Sequence, residues 1–120
     1  MNFIENLLAK SINFELDENE KIIHQGGANL FRSNDVSGGI LYLTNKRLIF
    51  IPNKININKS RQDIIIDDIV GIKEVRTLII NNGLVIESMD DSKFRFVLNS
   101  RDKWVEEIEK LMDSKLGVLI

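Results

Sequence analysis

Two unbroken apolar runs, separated by a polar tetrad, constrain this chain more than any other feature. In GGILYLTNKRLIFIP, from Gly38 to Pro52, the runs Ile40 to Leu43 and Leu48 to Ile51 flank the residues TNKR. Runs this short, rich in strand-favouring residues, suit buried strands better than a helix. Pro52 closes the second run, because proline has no N–H to donate to a ladder. The tetrad itself has two readings. It is either a turn joining two strands, or a set of phosphate-handling side chains, Thr44, Lys46 and Arg47.

The rest of the composition narrows the choice. A chain of 120 residues is one domain, able to bury about two thirds of its unfolded surface without disulfides or metals. It has no cysteine and a single histidine, His24, which removes thiolate chemistry, Cys-based zinc sites and histidine clusters. No cofactor is implied. The N-terminal stretch MNFIENLLAKSINFEL carries Glu5 early and lacks the pattern of a signal peptide, and nowhere is there the roughly 18-residue apolar run of a membrane span. The expectation is a cytoplasmic protein. Its formal net charge is -2, yet between Asp35 and Asp63 stand Lys46, Arg47, Lys54, Lys59 and Arg61 with no acid among them. Acid dominates both flanks, so no extended basic face exists for nucleic acid, while a local anion site stays open.

Further strands are predicted at Ile22 to Phe31, interrupted by a bulge or a close backbone approach at Gly26 and Gly27, and at Asp63 to Ile66, Ile69 to Val75, Leu84 to Ser88 and Lys93 to Leu98. Asn82-Gly83 and Met89 to Ser92 supply turn chemistry. The period then changes. In SRDKWVEEIEKLMDSK the apolar residues Trp104, Val105, Ile108, Leu111 and Met112 share one helical face, with Ser100 as N-cap and Trp104 as a core plug. The acidic neighbours Asp67-Asp68 and Asp90-Asp91 point to opposite faces, so neither pair offers two carboxylates to one substrate. They read as strand-end and turn residues, and His24 as structural or exposed.

Seven short strands followed by one amphipathic helix is the plan of a pleckstrin-homology-like barrel. The sequence resembles a GRAM domain over about residues 20–113. The likeness rests on GGILYLTNKRLIFIP, on IIIDDIVGI with Asp68 and Ile69, on NNGLVIES, and on FRFVLNSRDKWVEEI. Asp91 departs from the glycine often found in the last hairpin. The resemblance implies a mainly β fold of antiparallel strands capped by a C-terminal helix. It makes TNKR the turn between the second and third strands, with Thr44 able to bond its own backbone, Asn45 tolerant of left-handed geometry, and Lys46 and Arg47 pointing to water. The catalytic alternative lacks a general base, a phosphate-cradling glycine loop and a metal-binding carboxylate set. No catalytic or metal-binding residue is assigned.

The resemblance also implies a binding module, and two kinds of partner are weighed. For a protein partner or a second copy, the candidates lie outside the barrel: Phe3, Ile4, Leu7 and Leu8 in a short N-terminal helix within residues 1–18, and Leu116 and Leu119 in an apolar tail, residues 114–120. For an anionic membrane lipid, with the protein peripheral to the membrane, the loops at the barrel's open end contribute Arg32, Lys54, Lys59 and Arg61, with Ile55 and Ile57 able to enter the bilayer interface. Asp35, Asp90 and Asp91 would stand beside those cations and weaken the attraction. The protein-interaction reading is preferred.

Overall fold

The computed structural model describes residues 14–33, 35–53, 61–77 and 80–117. Seven strands precede one helix: β1 (Ile22–Arg32), β2 (Asp35–Thr44), β3 (Arg47–Pro52), β4 (Gln62–Ile65), β5 (Ile69–Thr77), β6 (Ile80–Ser88), β7 (Lys93–Leu98) and α1 (Arg101–Gly117). They form a single antiparallel sheet in the order β4-β3-β2-β1-β7-β6-β5, which leaves β4 and β5 at its edges. β1 is the long central strand. It pairs with β2 along its length and, from Ala28 to Phe31, with β7 on its other side. The sheet curls about this strand into a half-barrel, and α1 packs at one end against β1, β6 and the 3-10 turn Ile66–Asp68.

The core explains the apolar runs. Leu41, Leu43, Leu48 and Phe50 point into the barrel with Leu30, Ile86, Phe96 and Leu98, and α1 inserts Trp104 and Ile108 among them. The opposite face of β2 and β3 is covered as well. Ile49 is fully buried beneath Phe14 and Tyr42, with Leu16, Ile22 and Ile51 at the margin. A strand buried on both faces needs no polar alternation, so Leu41 to Leu43 and Leu48 to Phe50 read as continuous hydrophobic stretches. Gly39 is required by the same pairing, because a Cβ there would collide with the carbonyl of Ile51.

The predicted strands all form, and Lys93–Leu98 has the predicted bounds. Asn82-Gly83 is not a turn. Gly83 pairs with Val75 on one side and Val97 on the other, and two-sided pairing in an interior strand overrides the local turn preference of Asn-Gly. The turn after β6 lies at Met89 to Ser92 as predicted, with Asp91 taking the left-handed conformation (φ 69) in place of glycine. The irregularity of β1 falls between Ile22 and His24, not at the glycines. At Gly26 it is a side chain that comes close, since a Cβ would sit 3.6 Å from Trp104 Cζ2.

α1 begins from Ser100, whose carbonyl accepts from the N–H of Lys103 at 3.0 Å and whose own φ is 55. The helix extends to Gly117, into the stretch read from sequence as a separate tail. Trp104 is 1% exposed and meets His24 edge-on at 4.5 Å between ring centroids, which gives that histidine a structural place. The predicted N-terminal helix lies outside the described residues.

Candidate interaction surfaces

The TNKR tetrad is a turn, but not a solvated one. Each member holds the segment just before β1. Thr44 donates its hydroxyl to Glu20 Oε2 at 2.6 Å and accepts from the N–H groups of Lys46 and Arg47, each at 3.0 Å. Asn45 accepts from the Lys21 N–H through its side-chain oxygen (2.8 Å) and donates to the Asn19 carbonyl (3.0 Å). Asn45 does not use its tolerance of the left-handed conformation; among the described non-glycine residues Asn19, Asp91 and Ser100 adopt it. Lys46 and Arg47 do not point to water either. Lys46 Nζ donates to the Glu18 carbonyl at 2.8 Å, and Arg47, with its side chain 12% exposed, bonds Glu20, Asp63 and the Glu15 carbonyl.

Glu20 is the centre of this clasp. Its side chain is wholly buried, yet it receives Arg47 Nε at 2.8 Å, Arg47 Nη2 at 3.0 Å, the Thr44 hydroxyl, and the Asp17 N–H at 2.8 Å. Burial alone would raise its pKa. The hydrogen bonds from Arg47, Thr44 and Asp17 and the charge of Arg47 outweigh that and hold it down to about 2. A buried carboxylate satisfied on both oxygens is a fixed structural element. Phe14 completes the arrangement, 5.0 Å from the Tyr42 ring and 5.8 Å from the guanidinium carbons of both Arg47 and Arg61. Neither Phe14 nor Glu20 stands out in the sequence, because their partners lie far along the chain.

Of the residues expected to meet lipid, Lys54, Ile55, Ile57 and Lys59 lie outside the described residues. Arg61 binds Asp63 through Nε at 2.6 Å and Nη2 at 2.7 Å, and its side chain is 40% exposed. Arg32 ends β1 opposite Asp35. Next to it Phe31 pairs across the strands with Val36 and Arg95, and Phe31 and Val36 are exposed at 39% and 47%. The expected protein-contact residues Phe3, Ile4, Leu7, Leu8 and Leu119 also lie outside the described residues, as does the side chain of Leu116.

A surface that the sequence did not indicate opens between the edge strand β5 and α1. It is a groove of about 590 Å³ lined by Ile72, Lys73, Glu74, Val75, Leu84, Val105 and Glu109. Ile72 and Glu74 pair with Ile86 and Leu84, which face the core. Their side chains therefore share the side of the sheet on which α1 lies. Lys73 is on the other face, 3.3 Å from Glu87. At one end Arg101 donates from Nη1 to the carbonyls of Val75 (3.0 Å) and Gly83 (3.2 Å). A smaller polar groove of about 320 Å³ has Gly27, Gly38 and Gly39 at its base and Asn29, Asn53 and Asn99 around it.

A half-barrel of seven antiparallel strands with one C-terminal helix is the pleckstrin-homology-like class of fold. Within that class the chain belongs to the GRAM domain family, whose model matches residues 8–115. Among solved structures it resembles the C-terminal domain of an unknown protein from Leishmania infantum (TM-score 0.72, 16% identity, covering 91% of this chain and 97% of that one). It also resembles the Vps36 N-terminal PH domain (TM-score 0.66, 17% identity, 85% and 86%). A third likeness is to the Slm1-PH domain in complex with inositol-4-phosphate (TM-score 0.56, 12% identity, 77% and 95%). No curated protein matches by sequence. GRAM and pleckstrin-homology-like domains are in general non-catalytic binding modules. Among the described residues, no helix is long and apolar enough to cross a membrane.

Proposed function

We propose that this GRAM domain is a non-catalytic module that binds a protein partner. The observation that carries the reading is the groove between β5 and α1, where Ile72, Leu84 and Val105 give an apolar lining beside the edge of a sheet. Concave apolar surfaces with a few polar groups around them are the usual form of a binding site. The apolar residues of the N-terminal segment, Phe3, Ile4, Leu7 and Leu8, and those of the tail, Leu116 and Leu119, add a route to self-association.

Selection of a random peptide library on the full chain tests the reading. Peptides should be enriched on the parent and lost on Val105→Arg, with circular dichroism confirming that the variant is folded. If no peptide is selected while anionic vesicles sediment the protein, the partner is a membrane.

That second reading has its own support. Exposed Phe31 and Val36 flank Arg32 and Arg95 at the tip of the β1–β2 hairpin, and the related Slm1-PH domain is in complex with inositol-4-phosphate. Together with Lys54, Ile55, Ile57, Lys59 and Arg61 in the β3–β4 loop, these residues would place cations at anionic headgroups and apolar groups in the interface. Vesicle binding would then weaken as salt screens it.

A further inference from the structure

The outer face of the sheet carries an apolar strip. On β2, Leu41 and Leu43 belong to the core, so Val36, Gly38, Ile40 and Tyr42 face the other way. Their partners on β1 are Phe31, Asn29, Gly27 and Gln25, and Ile51 pairs with Ile40 from β3. Among the described residues the strip is covered at one end only, where the Phe14 ring lies 5.0 Å from that of Tyr42. Away from that end Ile40, Val36 and Phe31 are exposed. Between them the sheet is bare backbone: Gly27 and Gly38 floor the smaller groove, and a Cβ at Gly27 would meet nothing within 4 Å.

Phe14 fixes where the residues before it start. It sits over the paired Tyr42 and Ile49. The chain after it occupies the Thr44 and Arg47 end of β2 and β3, where the Glu15 carbonyl and Glu20 bind Arg47. Across the strands the neighbours are polar, Gln25 beside Tyr42 and Asp63 beside Ile49. The apolar direction left open runs along β2 over Ile40 and Gly38 to Val36. Tyr42 and Val36 are six positions apart, about 20 Å at about 3.3 Å per strand residue. Residues 1–13 in helical form span the same length, about 20 Å at about 1.5 Å per residue. Phe3, Ile4, Leu7 and Leu8 share one side of such a helix, with Asn2, Glu5 and Asn6 opposite. Leu7 and Leu8 would stand about 10 Å from Phe14, level with Ile40 and the glycines, and Phe3 and Ile4 about 16 Å from it, approaching Val36 and Phe31.

We propose that residues 2–12 form an amphipathic helix that lies along β2 on the outer face of their own sheet, with Leu7 and Leu8 over Ile40, Gly27 and Gly38, and Phe3 and Ile4 over Val36 and Phe31. The bare backbone at the two glycines lets the helix approach closely. A helix this short is marginal alone, and an exposed apolar strip is unfavourable alone, so each covers the other. The tether at Phe14 holds the segment at an effective concentration that a second copy does not match in dilute solution. Exchange of the same contact between two copies would give the self-association considered above. The proposal goes beyond the protein-binding reading, whose groove lies between β5 and α1. It also covers Phe31 and Val36, so a membrane would have to displace the helix to reach them.

The test uses the full chain. Methyl-labelled protein should show nuclear Overhauser contacts from Leu7 and Leu8 to Ile40 and from Ile4 to Val36, at an intensity independent of protein concentration. Gly27→Lys sets a long charged side chain beneath the helix at a position with room for it, and should remove these contacts while circular dichroism stays that of a folded sheet. Trypsin cleavage after Lys10, followed by mass spectrometry, should then run roughly tenfold faster than in the parent, because a docked helix is cut only when it opens. Val70→Lys, at an exposed apolar site on β5, should leave the cleavage rate unchanged. Contacts seen only between differently labelled copies would assign the face to a second copy and overturn the proposal. So would the absence of these contacts in the parent, or a cleavage rate after Lys10 that is the same in the parent and in Gly27→Lys. None of these results bears on peptides selected through Val105, so the protein-binding reading stands or falls separately.

Discussion

Replacing Glu20 by glutamine removes one charge from a buried pair while keeping the shape of the side chain and an acceptor for Thr44. In the folded chain this carboxyl titrates at about 2 against an ordinary 4.5. A folded-state value below the unfolded one stabilises the fold at all pH above the unfolded value, and that stability is lost as pH falls through the folded value. The difference corresponds to about 3 kcal/mol at pH 7, of which about 2 kcal/mol is gone by pH 3. Breaking a buried ion pair by mutation gives a similar figure, about 3 to 5 kcal/mol. Arg47 keeps Asp63 at 3.0 Å, which places the expected loss at the lower end. At a urea slope of about 2 kcal/mol/M, the midpoint of Glu20→Gln should lie roughly 1.5 M below the parent at neutral pH. The gap should shrink to roughly a third of that at pH 3. Asp63, whose pKa is held down mainly by the Arg61 side chain, titrates in both chains and largely cancels in the comparison. A gap below about 0.5 kcal/mol at pH 7, the range of an ordinary surface substitution, or one that stays constant with pH, would refute the clasp.

Trp104→Ala should lose on the order of 3 to 5 kcal/mol in a denaturant melt, because a ring that is 1% exposed fills the core where α1 meets the sheet. Gly39→Ala should lose about 1 to 3 kcal/mol, since its methyl group must displace the Ile51 carbonyl and with it the β2–β3 pairing. If self-association runs through the N-terminal segment, Leu7→Asp with Leu8→Asp should halve the solution mass and leave the circular dichroism unchanged. If the segment docks on its own barrel, the pair should lower the melting temperature at constant mass, and no change in either would remove the segment from the account.

The fold was legible because its signals are local. The period of two in β7, the period of 3.6 in α1, the unbroken runs of β2 and β3 and the closing Pro52 each follow from a few neighbouring residues. What was misread depends on distant contacts. Arg47 looks like a turn residue facing water until Glu20, separated from it by 27 positions, arrives beneath it. Asn82-Gly83 looks like a turn until β5 and β7 pair on either side. The groove was not legible at all, since it requires knowing that β5 ends the sheet and that Val105 and Glu109 cross in front of it. The charges Lys73, Glu74 and Arg76 within an otherwise apolar strand were the available sign of an edge.

Backbone amide shifts of the full chain, measured during titration with a selected peptide and separately with anionic vesicles, test the central claim most directly. The account predicts that the peptide moves the amides of Ile72 to Val75 and Val105 to Glu109, which line the groove. Peptide-induced shifts confined to Phe31 to Val36 and the other end of β2, with β5 unchanged, would contradict it.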